Sequence, residues 1–217
     1  MRDDFSAWWA FGSAATLPLV RMLFRVHVDG SERVPASGPA ILAFNHVSVL
    51  DGPALAIETA FRRRRAVRFL VVAEVFGHWF YGRVLRSFDQ IPIHRGGGDA
   101  GALEEAIETV RAGALVALSP EGHVNRDPEA GMQRIRSGCA RIAISTGAPV
   151  IPVGIWGTQR RWPQRGPIFE RPWRRPRLAI VFGPPILAHP QDDLEAFGRR
   201  VGEALEGQVR RARSTTR

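Results

Sequence analysis

Lysine is missing altogether from this 217-residue sequence, and cysteine occurs once, at position 139. A single cysteine excludes an internal disulfide and a multi-cysteine zinc site. Cys139 sits with Ile142 and Ala143 in an apolar helical pattern, the setting of a buried core thiol rather than a nucleophile. Acidic residues are also scarce, 21 against 30 basic ones, which leaves a net charge of +9 and a pI near 11.4. That balance favours polyanions: nucleic acid, an anionic membrane surface, or phosphorylated substrates. All the basic residues are arginine, as a GC-rich coding sequence produces, so charge alone selects none of the three.

Other absences narrow the field. No Gly-x-Ser-x-Gly elbow is present, which argues against a lipase-like hydrolase. His27, His78, His123 and His189 show no metal-ligand spacing. The opening Met-Arg-Asp-Asp lacks the positive start of a signal peptide. The longest apolar stretch, from Phe5 to Val20, contains Gly12 and Pro18 and is stopped by Arg21. It falls short of the roughly 20 residues of a membrane span. With Trp8 and Trp9 near one end it reads as an interfacial or re-entrant helix, the alternative being a helix docked on the core. There is no internal repeat and no long linker.

What is present is an ordinary globular composition, 45% apolar and 24% charged, enough for one domain with a full core. Apolar runs at Arg25–Val28, Ala40–Phe44, Ala66–Ala73, Phe88–Ile93, Ala114–Leu118, Pro149–Ile155 and Arg177–Phe182 read as strands. Helical patterns fall at Ala54–Phe61, Phe76–Leu85, Ala100–Arg111, Met132–Thr146 and Asp192–Arg213, with Asp99 placed to cap the third. Alternating strands and helices predict an α/β domain over 25–217: a mixed, largely buried sheet flanked by helices, with active residues on loops at strand ends. A short membrane-associated helix over 1–24 precedes it. The run Arg62-Arg63-Arg64-Arg65 reads as a helix end facing solvent, its cations complementing the dipole. Gly96-Gly97-Gly98 reads as a flexible turn, since the lysine of a P-loop is lacking.

The strongest local signal is Phe44-Asn45-His46-Val47-Ser48-Val49-Leu50-Asp51, just after a buried strand. A histidine and a carboxylate five residues apart across a turn can face each other. The carboxylate then fixes the imidazole tautomer and leaves the other nitrogen as a base. Such a base contributes roughly 10²–10⁴ in rate when it takes a proton from an attacking hydroxyl. Spacing alone leaves a structural hydrogen bond equally open.

Asn45-His46-x-Ser48-x-x-Asp51 resembles the first motif of the glycerolipid acyltransferase family, typified by 1-acylglycerol-3-phosphate acyltransferases. Ile91-Pro92-Ile93-His94-Arg95 resembles the second block and Ser119-Pro120-Glu121-Gly122 the third. Arg136-Ser137-Gly138 followed by Val150-Ile151-Pro152-Val153-Gly154 resembles the fourth. The order is the family's, and the blocks span about residues 40 to 158. The resemblance implies direct attack of a lipid hydroxyl on a thioester donor, acyl-CoA or acyl-carrier protein, without a covalent enzyme intermediate. It makes His46 the general base and Asp51 its orienter. It assigns Asn45, Ser48, Arg95, Glu121, Gly122 and Arg136 to substrate binding, Arg95 pairing with an acceptor phosphate. It calls for no metal or organic cofactor.

Two departures from the family pattern bear on the acceptor. The third block runs Gly122-His123-Val124-Asn125-Arg126 where the family has Gly-Thr-Arg, so Val124 holds the place of a phosphate-binding arginine; Arg126 or Arg136 would have to compensate. In the second block His94 stands where an acid commonly precedes the arginine. These changes leave acyl transfer in place and loosen the choice of lysophosphatidate over other lysolipids. Residence at the cytoplasmic face of a membrane fits the chemistry independently. A lysolipid already in a bilayer keeps the roughly 0.8 kcal/mol per methylene that burial provides, so an enzyme gains little by extracting it. The segment Arg160 to Arg177, with seven arginines against Glu170, suits an anionic interface. A nucleic-acid-binding domain would put aromatics on an exposed sheet, whereas these strands are aliphatic. A catalytically silent lipid-binding scaffold remains the alternative from another class.

Overall fold

The five residues Ala40-Ile41-Leu42-Ala43-Phe44 are apolar in both phases of the strand alternation, and both faces are covered. Ala40, Leu42 and Phe44 pack into one cluster and Ile41 and Ala43 into another on the opposite face. A strand buried on both sides reads as a continuous apolar run. The computed structural model describes residues 5–94, 99–165, 168, 173–189 and 191–217. In chain order these hold α1 (Ala7–Leu23), β1 (Arg25–Asp29), β2 (Ala40–Phe44), α2 (Asp51–Arg63), β3 (Val67–Val72), α3 (Ala73–Phe76), α4 (Trp79–Ser87), β4 (Ile91–Ile93), α5 (Ala100–Arg111), β5 (Leu115–Leu118), α6 (Gly138–Thr146), β6 (Val150–Trp156), β7 (Arg177–Phe182) and α7 (Leu194–Thr215).

The strands form one sheet in the order β1-β7-β6-β2-β5-β3-β4. Neighbours are parallel except β6 and β7, which pair antiparallel. The expected mixed α/β sheet is therefore observed. One face packs on α1 and α2 through Val20, Phe24, Leu55 and Phe69. The other is covered by α5, α6 and α7 through Ile107, Val110, Ile142, Phe197 and Val201. Helix α1 buries Trp9, Ser13 and Val20 and leaves Trp8, Phe11, Leu19 and Met22 exposed. Its last turn is tied to α2 by Arg21, whose Nη2 lies 2.9 Å from the buried Glu58 carboxylate. No described helix is long and apolar enough to cross a membrane.

Four expectations change in the structure. The aromatic helix expected from Phe76 is split at Gly77-His78, where the His78 side chain caps α4 by accepting from the Tyr81 amide. The strand expected from Phe88 starts only at Ile91, because Phe88 closes α4 and Asp89 turns through a positive φ of 52°. The helix expected from Met132 starts at Gly138. The Gln133 and Arg136 amides are bonded instead to Glu121 and to the Pro120 carbonyl, so they are not available for helical pairing. Arg65 likewise does not face solvent: it is buried, donating to the carbonyls of Pro35, Gly38 and Gly113. The Gly96–Gly98 turn lies outside the described residues.

Helix α7 lies so close to β6 that a Cβ on Gly154 would stand 2.2 Å from the Gln208 carbonyl carbon and 2.5 Å from the Val209 nitrogen. Backbone, unlike a side-chain tip, cannot swing away. Gly154→Ala is therefore expected to destabilise the fold by about 3 kcal/mol in urea unfolding; an unchanged midpoint would contradict the close approach.

Candidate active site

Strands β2, β5 and β6 are adjacent and parallel, so their carboxyl ends meet at one edge of the sheet, where open α/β sheets place their sites. The segments that leave them are 45–51, 119–122 and 157–162. Asp51, the first residue of α2, is fully buried, at a helix N-terminus that favours an anion. Its Oδ2 accepts from the Val47 and Ser48 amides, each at 2.7 Å, and lies 2.9 Å from His46 Nδ1. Its Oδ1 accepts from the Thr158 hydroxyl. With two amides already on Oδ2, the contact with His46 is an imidazole N–H donating to a carboxylate. That assigns the proton to Nδ1 and the lone pair to Nε2. Nε2 has no protein partner among the described residues, and the His46 side chain is 24% exposed.

The backbone of His46 is clamped from both sides by the third block. Its amide donates to Glu121 Oε1 at 2.9 Å, and its carbonyl accepts from the Asn125 amide at 2.6 Å. Glu121 Oε2 accepts from the Gln133 amide at 2.9 Å. Burial pushes the Glu121 carboxyl above its usual range, while the Gln133 and His46 amides pull it down. Asn45 is buried and bridges to β6, donating to the Ile155 carbonyl at 2.9 Å and accepting from its amide at 2.7 Å. Ser48 donates to the Trp162 carbonyl at 2.7 Å and accepts from the Leu50 amide.

Gly122 has a φ of +77°, and a Cβ there would stand 2.7 Å from Arg136 Nε. Only a glycine lets the Arg136 side chain cross this turn, with its amide held on the Pro120 carbonyl at 2.8 Å. Arg136 and Arg126 are both exposed. The structure thus brings Asn45, His46, Ser48, Asp51, Glu121, Gly122 and Arg136 to one edge, while Arg95 lies outside the described residues. Thr158, Asn125 and Gln133 join them without having been expected. The one sequence signal for Thr158 is its place just after the fourth block, in the Gly157 turn that ends β6. Trp156 is buried, with the Arg213 guanidinium 5.1 Å over its ring, so it belongs to the core. His123 is exposed. Among the described residues no group of three or more His, Cys, Asp or Glu is placed to hold a metal ion.

The chain belongs to the Acyltransferase family, whose model matches residues 25–156. The glycerolipid acyltransferase resemblance read from the four blocks is borne out by the relatives. A 1-acyl-sn-glycerol-3-phosphate acyltransferase of Borreliella burgdorferi is 28% identical over 62% of this chain and 52% of its own length. The chloroplastic 1-acyl-sn-glycerol-3-phosphate acyltransferase LPAT1 of Arabidopsis thaliana is 26% identical over 64% of this chain and 38% of its own. An uncharacterized protein of Mycobacterium leprae is 30% identical over 74% of this chain and 45% of its own. The chain spans about half the length of the relatives it matches. Its fold is similar to the crystal structure of the 1-acyl-sn-glycerophosphate acyltransferase PlsC from Thermotoga maritima, with a TM-score of 0.75, 24% identity, and 94% of this chain and 78% of that one covered.

Two outcomes follow from the buried carboxylates. Thr158→Val leaves Asp51 Oδ1 without its donor and is expected to cost about 2 kcal/mol of stability, Thr158→Ser less than half of that, by urea unfolding. Folding raises the Glu121 pKa above its ordinary 4.5. Its contribution to stability is therefore fully present below that value and is lost as pH rises through the folded value. The stability of wild type relative to Glu121→Gln is expected to fall as pH rises above 4.5; a difference that grows would contradict the burial.

Proposed function

We propose that the protein moves a fatty acyl group from a thioester donor, acyl-CoA or acyl-carrier protein, to a hydroxyl of a lysophospholipid such as 1-acylglycerol-3-phosphate. The observation that supports it is the His46 ring, held at Nδ1 by a buried carboxylate with Nε2 open to the sheet edge. The acceptor oxygen attacks the thioester carbonyl carbon as Nε2 takes the hydroxyl proton. The tetrahedral intermediate collapses, the carbon–sulfur bond breaks, and the departing thiolate takes the proton back from Nε2. The products are an ester and a free thiol, with no group left on the enzyme. Asp51 stabilises the imidazolium between the two proton transfers.

Asn45, Ser48 and Glu121 act on this reading as positioning residues. Their polar atoms already hold backbone groups of the loops around His46. Arg136, exposed beside the Gly122 turn, is the cation for an acceptor phosphate, the role that Val124 cannot fill. The protein lies on the cytoplasmic face of a membrane through the outer side of α1. Trp8, Phe11, Leu19 and Met22 are exposed there, and Trp79, Phe80 and Tyr81 are exposed on α4. The Trp8 indole donates to Ser87 at the end of α4, which joins the two surfaces. Tryptophan and tyrosine suit the headgroup level.

Purified protein incubated with labelled palmitoyl-CoA, palmitoyl-carrier protein and a panel of lysolipids tests the proposal. Labelled ester is expected, falling about 10³-fold in His46→Ala and rising about tenfold in KM for phosphorylated acceptors in Arg136→Ala. Equal inactivity of wild type and His46→Ala across both donors, with liposome binding retained, would replace it with the silent lipid-binding scaffold.

A further inference from the structure

A second basic site lies at the same edge of the sheet, away from the His46 loop. β7 runs antiparallel to β6, so its first residue, Arg177, falls beside the end of β6, and Arg25 on β1 pairs directly with it. These two arginines, with Arg21, Arg175, His27 and Thr216, line an open cleft of about 500 Å³ whose wall, among the described residues, has no Asp or Glu side chain. Like charges abreast on neighbouring strands repel. An anion between them removes that cost.

Two of the four guanidinium groups, those of Arg25 and Arg175, have no anionic partner among the described residues. Arg175 donates to the Arg21 and Phe24 carbonyls, whereas Arg177 donates at 2.6 Å to an oxygen of the terminal Arg217 carboxylate. Arg21 is likewise paired, to Glu58. The Arg25 side chain makes no hydrogen bond or ion pair among the described residues. Carbonyl contacts orient Arg175 without neutralising it, so Arg175 and Arg25 stand as forks for phosphate oxygens.

The cleft is also tethered to the catalytic loop. Its wall residue Thr216 accepts on its carbonyl from Arg160 at 3.1 Å. Arg160 ends the same short helical turn that Thr158 begins, and Thr158 donates to Asp51. Three strand spacings separate β1 from β2, about 14 Å, a distance a pantetheine arm can bridge.

We propose that this cleft binds the phosphates of a coenzyme A thioester, whose arm then crosses the Thr158–Arg160 turn to bring its carbonyl to His46. The inference rests on the acyl-transfer reading and names its donor. A carrier protein brings a single phosphodiester and a bulky acidic surface, whereas the nucleotide end of coenzyme A brings a 3′-phosphate and a diphosphate to a cleft-sized site.

The test titrates the full chain with 3′,5′-adenosine diphosphate by calorimetry, comparing wild type with Arg25→Ala/Arg177→Ala. Both residues are exposed, and matching melting temperatures establish that the variant folds. Binding by wild type, weakened about tenfold or more in the variant, is expected. So is a similar rise in KM for palmitoyl-CoA, with kcat and the acceptor KM changed less than about twofold. Equal nucleotide binding by the two proteins would overturn the proposal. So would inorganic phosphate binding as tightly as the nucleotide, or a loss confined to phosphatidylglycerol vesicles or to palmitoyl-carrier protein. Nucleotide binding that the variant loses, in a protein that transfers no acyl group, would leave the cleft standing and remove the acyl-transfer reading instead.

Discussion

The site depends on one buried carboxylate. Asp51 accepts four hydrogen bonds: two amides of the loop that precedes it, the His46 ring, and the Thr158 hydroxyl on a different strand end. A buried carboxylate without such donors is costly. The loop from Val47 to Asp51 therefore wraps where those donors can reach, and the ring orientation of His46 follows from the wrap. The same four bonds that make the loop stable leave Nε2 as the open nitrogen.

Around that centre, each neighbouring strand supplies a clamp. β5 leads to Glu121 and Asn125, which fix the amide and carbonyl of His46. β6 holds Asn45 through Ile155 and leads to Thr158. β2 sits between them, so the base is positioned by backbone on both flanks rather than by its own flexible loop. Preorganisation of this kind lets a weak base act at one fixed place. The turn that carries Thr158 continues to Arg161, buried on the Leu23 carbonyl at the end of α1. The surface proposed to meet lipid is thus joined to the dyad through the Arg161 and Thr158 side chains of one short turn.

The strand pattern was legible because both faces of the sheet are covered, which turns central strands such as Ala40–Phe44 into unbroken apolar runs. The His46–Asp51 pair was legible because its two members lie on one turn, and the ordered blocks gave it a role. Thr158 was not, because its bond to Asp51 spans 107 residues and leaves no local trace. The helix expected from Met132 failed for a related reason. Its side-chain pattern is helical, but its amides are spent on Pro120 and Glu121, a competition visible only once β5 and that segment are side by side. Arg65 sits in a run of four arginines and looks solvated, yet carbonyls from two distant loops draw it inside. Tertiary hydrogen bonds decided each of these, and local periodicity does not encode them.

The most direct test of the central claim is the protonation of His46, read from nitrogen-15 NMR of histidine-labelled protein beside Asp51→Asn. The neutral ring of the wild type is expected to be protonated at Nδ1 with Nε2 bare, and that preference to weaken in the variant. A wild-type ring protonated at Nε2 would contradict it, because the nitrogen facing the acceptor hydroxyl would then have no lone pair with which to take its proton.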